Sequence, residues 1–146
     1  MDNSKCNAPK LTQYSLMIEG RLLGANQLNN YHWRKQRRHM KKIAQSFLLA
    51  AYATNGPDQP LRYSQIAIVS YRKRLLDYDN LVAGAKAYVD ALMLPQAKML
   101  RSGQIRSKPG IGWIYDDSPD HVRVTYEQIV STAEYVEITV AQAKPW

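Results

Sequence analysis

The sequence predicts a small α/β or α+β domain: a mixed β-sheet and two main helices in the order β-α-β-α-β-β, with the helices on one face. Three observations carry that prediction. Segments rich in β-branched and aromatic residues alternate with segments whose apolar residues recur every three or four positions. No internal repeat, low-complexity tract or linker divides the 146 residues. With 45% hydrophobic residues, a chain of this length buries roughly two thirds of its unfolded surface and closes a core without staples. Residues 1–146 therefore read as one domain, with 1–10 as a loose arm.

The first strand is expected over 11–19 (LTQYSLMIE), which alternates imperfectly and ends near Gly20. GRLLGANQLNNY reads as an irregular loop. From Trp33 the pattern becomes helical, with Met40, Ile43, Ala44, Phe47, Leu48 and Ala51 at spacings of three and four, until Thr54-Asn55-Gly56-Pro57 stops it. RYSQIAIVSYR at 62–72 suits a central strand. A second helix is expected from about Asp79 to Met93, broken by Pro95. Residues 96–112 contain Gly, Pro, Ser and basic residues and read as a long exposed loop. Two final strands, near 121–128 and 134–141, are expected to form a hairpin about Ser131-Thr132.

Composition narrows the function classes. Cys6 is the single cysteine, so no intramolecular disulfide forms, and MDNSKCNAPK has no apolar stretch of the secretory kind. The longest apolar run, Phe47 to Ala53, falls far short of the roughly 20 residues that span a bilayer. No membrane association and a cytoplasmic location are the expectations. The formal charge of +8 is unevenly spread: residues 1–76 carry 13 Lys and Arg against 3 acids, residues 77–146 carry 7 against 9. The positive excess belongs to the first half, and it implies either a polyanion partner or simple solubility.

Six of the twelve acids lie between 77 and 120, and all are Asp: Asp77, Asp79, Asp90, Asp116, Asp117 and Asp120. A D-x-D at a strand-to-helix junction and a later D-D pair converge on one point only if a cation sits between them, since like charges held close repel. Magnesium suits such a set, taking oxygen ligands and substrate phosphate together. Taken singly, Asp77 reads as a turn residue and Asp79 as a helix N-cap. Arg72, Lys73 and Arg74 flank the same stretch and would bring phosphate to the carboxylates. On the helix, Leu81, Ala85, Tyr88 and Leu92 form a core stripe, while Lys86 and Asp90 each fall within about 20° of Asp79 on the opposite face. That face also reads as a solvated one, with Lys86 and Asp90 as an i,i+4 pair worth a few tenths of a kcal/mol. In an extended segment at most one of Asp116 and Asp117 faces a given point; an Asp-rich turn into Ser118-Pro119 is the alternative.

LDYDNL at 76–81, KAYVDAL at 86–92 and DDSPDHVRVTYEQ at 116–128, in that order, resemble the RusA-type Holliday junction resolvases. The likeness extends more loosely to the Asn-rich loop before Trp33 and to the basic first helix, and so covers most of the chain. It implies a RusA-like fold and a homodimer that places paired symmetric nicks in branched DNA, the four-way junction of recombination and repair. The cofactor implied is Mg²⁺, with Mn²⁺ as a substitute, and the setting is a bacterial cytoplasm or a phage-infected host. The family's catalytic, metal-holding acids carry over to Asp77, Asp79 and Asp117, and its essential lysine to Lys86; Asp90 and Asp116 are accessory candidates. This helix has three more residues before Lys86 than shorter members have, which moves the lysine about 4.5 Å along it and turns it about 300°. Leu76 stands where a basic residue often precedes the first Asp.

Arg34, Lys35, Arg37, Arg38, Lys41 and Lys42 put six positive charges in nine residues with no intervening acid, at a helix start where cations oppose the macrodipole. Phosphate contact explains the cost better than solubility does, so these residues, with Arg72, Lys73 and Arg74, are the expected DNA-binding set. Trp33, beside Tyr31 and His32, reads as a core anchor or as a stacking surface for an exposed base. The histidines lack zinc-ligand spacing, and no Gly-rich phosphate loop, G-x-S-x-G elbow or Cys-His signature occurs. The alternatives to a metal-dependent nuclease are a non-catalytic junction- or DNA-binding protein, a metal-dependent phosphoesterase acting on another nucleic acid or small phosphorylated substrate, and a basic scaffold whose acids are surface turns.

Overall fold

A computed structural model describes residues 12–146; the arm expected at 1–10, with Cys6, lies outside the described residues. The architecture is mixed α+β. In chain order the elements are β1 (Gln13–Glu19), α1 (Ala25–Asn29), α2 (Trp33–Tyr52), β2 (Ser64–Arg72), α3 (Tyr78–Leu92), β3 (Gln96–Met99), β4 (Ile105–Lys108), β5 (Val122–Val130) and β6 (Tyr135–Gln142). The main sheet runs β1-β6-β2-β5, and β3 pairs only with β4.

β2 alternates as expected for a half-covered central strand. Ile66, Ile68, Ser70 and Arg72 turn inward and align with Val140, Ile138 and Val136 of β6 and with Val124, Tyr126 and Gln128 of β5. Leu16 and Ile18 of β1 continue that face. Against it pack Ile43 and Phe47 of α2 and Leu81, Ala85, Tyr88 and Leu92 of α3, so the predicted α3 stripe is buried throughout. On α2 the outer members of the predicted stripe, Met40 and Leu48, lie at its margin and are exposed. Burial pushes the Tyr88 hydroxyl up to about 12, so it stays protonated under all ordinary conditions.

Three expectations require correction. β5 and β6 do not form a hairpin: β2 lies between them, parallel to β5 and antiparallel to β6. Residues 131–134 step across the end of β2, tied there by the Ser131 N–H donating to the Arg72 carbonyl at 2.9 Å. Two strand spacings amount to about 10 Å, which a link this short covers, so length alone does not separate a hairpin from a step over one strand. The 96–112 segment is exposed as expected, but it contains the β3–β4 ribbon. The loop before Trp33 contains α1, which packs on α3.

α3 approaches the 22–24 segment so closely that its helical Gly84 has no room for a side chain; a Cβ there would fall on the Leu23 carbonyl oxygen. Alanine would gain about 1 kcal/mol of helix propensity, yet backbone cannot yield as a side chain can. Gly84→Ala is therefore expected to destabilise by at least about 1 kcal/mol net, read as a fall of several degrees in Tm; a rise in Tm would refute the close approach.

His39 is half-buried on α2, and its Nε2 has no hydrogen-bond partner among the described residues. Burial, then the neighbouring Lys42, holds its imidazole below the ordinary 6.5. Below that value the unfolded chain binds the proton first, so unfolding free energy drops as pH falls through about 6.5 and is unaffected above it. Urea midpoints at pH 7.5 and 5.5 test this: His39→Gln should lose less stability on acidification than the parent, and an equal loss would clear His39 of the effect.

Candidate active site and nucleic-acid surface

The N-cap of α3 is Asp77, not Asp79, which sits in the first turn. The Asp77 carbonyl accepts the Leu81 N–H at 3.0 Å, but its side chain makes no capping bond. Both acids lie where the helix dipole favours negative charge.

The approach to Asp77 is fixed by β5. The Leu76 N–H donates to Gln128 Oε1 and Gln128 Nε2 donates to the Leu76 carbonyl, each at 2.8 Å. The side-chain amide thus behaves as a strand partner for the residue directly before the first acid. The Asn26 N–H donates to Asn80 Oδ1 at 3.3 Å, tying α1 to the same turn.

Further along α3, Lys86 Nζ lies 3.5 Å from Asp90 Oδ1 and 3.8 Å from Asp117 Oδ2. Asp90 is not on a solvated face: it is 8% exposed, and its Oδ2 also meets Lys108 Nζ at 3.0 Å. The acidic pair divides. Asp116 Oδ1 accepts the Ser118 N–H at 3.3 Å in a turn, while Asp117 reaches Lys86. The structure therefore assembles Lys86, Asp90 and Asp117, and leaves Asp77 and Asp79 at the head of the helix, about 10 Å back along its axis by residue count. Among the described residues no three His, Cys, Asp or Glu side chains form a group able to hold a metal ion. Asp77 and Asp79 alone fit a sparser mode, in which Mg²⁺ takes one or two carboxylates and completes its shell with water and substrate phosphate.

Tyr126 of β5 joins this region without a specific expectation from the sequence. Its ring meets that of Tyr78 edge-on at 6.3 Å. Burial, and then Tyr78, raise its pKa against the opposing pull of Lys86, so its hydroxyl is neutral at pH 7. Its place two residues before Gln128 on the inward face of β5 was the only available signal.

On α2, Arg34, Lys35, Arg37, Arg38, Lys41 and Lys42 are all exposed. Trp33 is not a core anchor: it is 54% exposed, with the Arg34 and Arg37 guanidinium carbons 5.3 and 5.5 Å from its ring. Lys35 Nζ stands 4.0 Å over Tyr31. These contacts hold long cationic side chains over aromatic faces.

The triplet after β2 also divides. Arg72 is 6% exposed and spends its guanidinium on backbone, Nη1 donating to the Leu22 carbonyl at 2.7 Å and Nε to the Arg74 carbonyl. Burial first, and Arg21 second, lower its pKa, partly offset by Glu134. Its role is thus to hold the chain rather than to reach DNA. Lys73 and Arg74 are exposed and, with Arg21 and Glu134, line a cleft of about 460 Å³.

No protein-family model matches this chain. A search of curated proteins finds no match either. Among the described residues no helix is long and apolar enough to cross a membrane.

Replacing Gln128 by Leu removes both bonds to Leu76. Gln128→Leu is expected to cost about 1–3 kcal/mol of stability and to speed hydrogen exchange at the Leu76 amide. Unchanged protection of that amide would mean that the clamp does not hold the approach to Asp77.

Proposed function

We propose that the chain is a metal-dependent endonuclease that nicks four-way DNA junctions. The observation that carries the reading is the arrangement along α3: Asp77 and Asp79 at its positive end, and Lys86 further on, meeting Asp117 from 31 residues downstream. Basic α2 packs against the same helix. Asp77 and Asp79 would hold Mg²⁺, or Mn²⁺, with a substrate phosphate, while Asp117 stands against Lys86. When bound, the ion activates water and neutralises charge on the phosphate. Lys86 stabilises negative charge on phosphate oxygen. The exposed cations of α2, with Lys73 and Arg74, position the DNA arms by their phosphates. A twofold homodimer would set two such sites on opposing strands, in a bacterial or infected-host cytoplasm.

A second reading, a junction-binding protein without chemistry, is favoured by one observation: Asp117 is engaged by Lys86 and does not join Asp77 and Asp79.

The deciding assay incubates the chain with an end-labelled synthetic junction, a linear duplex and an RNA of the same sequence, with and without Mg²⁺. Paired symmetric nicks in the junction alone, dependent on Mg²⁺, are expected. Asp77→Asn and Asp79→Asn should each lower cleavage by about 10³-fold, several kcal/mol of transition-state stabilisation, while junction affinity stays within a few fold. Binding without cleavage by the parent chain would favour the second reading; selective RNA hydrolysis would overturn both.

A further inference from the structure

Apart from Lys108, which meets Asp90, the β3–β4 ribbon has no role in the arrangement described above. Its base is fixed: the Ile111 N–H donates to the Ala91 carbonyl at 2.9 Å, Gly112 N–H to Met93 at 3.0 Å and Trp113 N–H to Leu92 at 2.8 Å. Beyond that base every residue of both strands is exposed. A lone two-stranded hairpin is marginally stable in water, so this one gains little from standing free of the body.

Its sequence makes that stranger. From Ala91 to Tyr115 there is no acidic residue, while Lys98, Arg101, Arg106 and Lys108 all fall within it. The register sets Lys98 directly opposite Arg106, and Gln96 opposite Lys108, on one face; Ala97 with Ser107 and Met99 with Ile105 occupy the other. Like charges directly across a ladder destabilise it. A hairpin without a core that keeps such a pair calls for negative charge from elsewhere.

The ribbon's direction supplies the partner. Lys108 is on the charged face, and its Nζ meets Asp90, which in turn meets Lys86, the residue paired with Asp117. The charged face therefore starts with Lys108 beside Asp90 and carries the Arg106–Lys98 pair outward from it. Lys108 also borders a cleft of about 200 Å³ shared with Arg37 and Lys41 of α2, so positive charge continues from helix to ribbon.

The geometry points to the β3–β4 ribbon as a DNA-gripping arm, in which Lys98, Arg101 and Arg106 contact backbone phosphates beside the acidic site. The inference rests on the proposed DNA substrate. A two-stranded ribbon is of a size that enters the major groove, and phosphate contacts of this kind fix position without reading sequence. Met99 and Ile105, 72% and 68% exposed on the other face, take no part in this contact.

The test measures junction and duplex affinity from 50 to 200 mM salt without divalent metal, where no cleavage occurs. For Lys98→Ser/Arg101→Ser/Arg106→Ser, the log affinity against log salt slope should be shallower than the parent's by two to three. The parent would then lose roughly 40-fold more affinity than the variant across that range, for three phosphates at about 0.9 each. Met99→Ser/Ile105→Ser should leave the slope unchanged. A parent that binds DNA with the same slope as the triple variant overturns the arm while leaving the nuclease reading intact. So does a drop in oligomeric mass in the Met99/Ile105 variant with a changed slope, which would make the ribbon a contact between copies. A parent that binds no DNA overturns both.

Discussion

β2 is the strand on which the rest of the molecule depends, because its two neighbours both come from the far end of the chain. β5 lies along one side and β6 along the other, and the four residues between them pass over its end. At that end Arg72 turns its guanidinium inward to two backbone carbonyls, one from the segment after β1 and one from its own following turn. A buried cation is costly unless its donors are satisfied, and here they organise the places where three chain segments meet. The link from Arg72 to Asp77 is then held a second time by Gln128. The acids at the head of α3 are thus fixed by the sheet, although they belong to a helix.

Charge follows the same frame. The buried carboxylate of Asp90 sits between two lysines, Lys86 from its own helix and Lys108 from the ribbon. An exposed pair contributes little, but a carboxylate this enclosed needs a cation nearby. Asp90 therefore acts as an anchor joining helix and ribbon, and the Lys86 ammonium is shared between it and Asp117. The basic surface of α2 meets this network at a common cleft. Acidic and basic groups that the sequence separates into two halves are interleaved in space.

Much of this could be read from the residues alone. The stripe of Leu81, Ala85, Tyr88 and Leu92 is periodic because it is buried, and the same holds for Ile43, Ala44 and Phe47, so α2 and α3 were legible nearly to their ends. β2 was legible as central by its β-branched content. What escaped lacks a local signature. α1 has five residues, too few to show a period. The ribbon is solvated on both faces, so no burial pattern marks it. The order of β5, β2 and β6 is a matter of pairing partners, which a short polar link leaves open. Asp90 looked solvated because its helix face is polar; it is covered by a residue 18 positions later. Trp33 was left open between core anchor and stacking surface, and it is exposed with two arginines over its ring. At the site, Lys86 and Asp117 were both named from the sequence, but their meeting joins residues 31 apart, which no local pattern shows.

The Gln128 clamp carries a consequence for how the molecule comes to be. A chain emerging from its N-terminus makes β2 and α3 well before β5, and the contacts that close this sheet are long in sequence, which slows folding. Until residue 128 has docked, nothing on β5 holds Leu76, and the head of α3 is free to fray. A chain still lacking residue 128 would carry its basic helix without the clamp on the segment leading to the two aspartates. The cationic face of α2 is thus complete in the chain before the segment that holds Leu76 has been made.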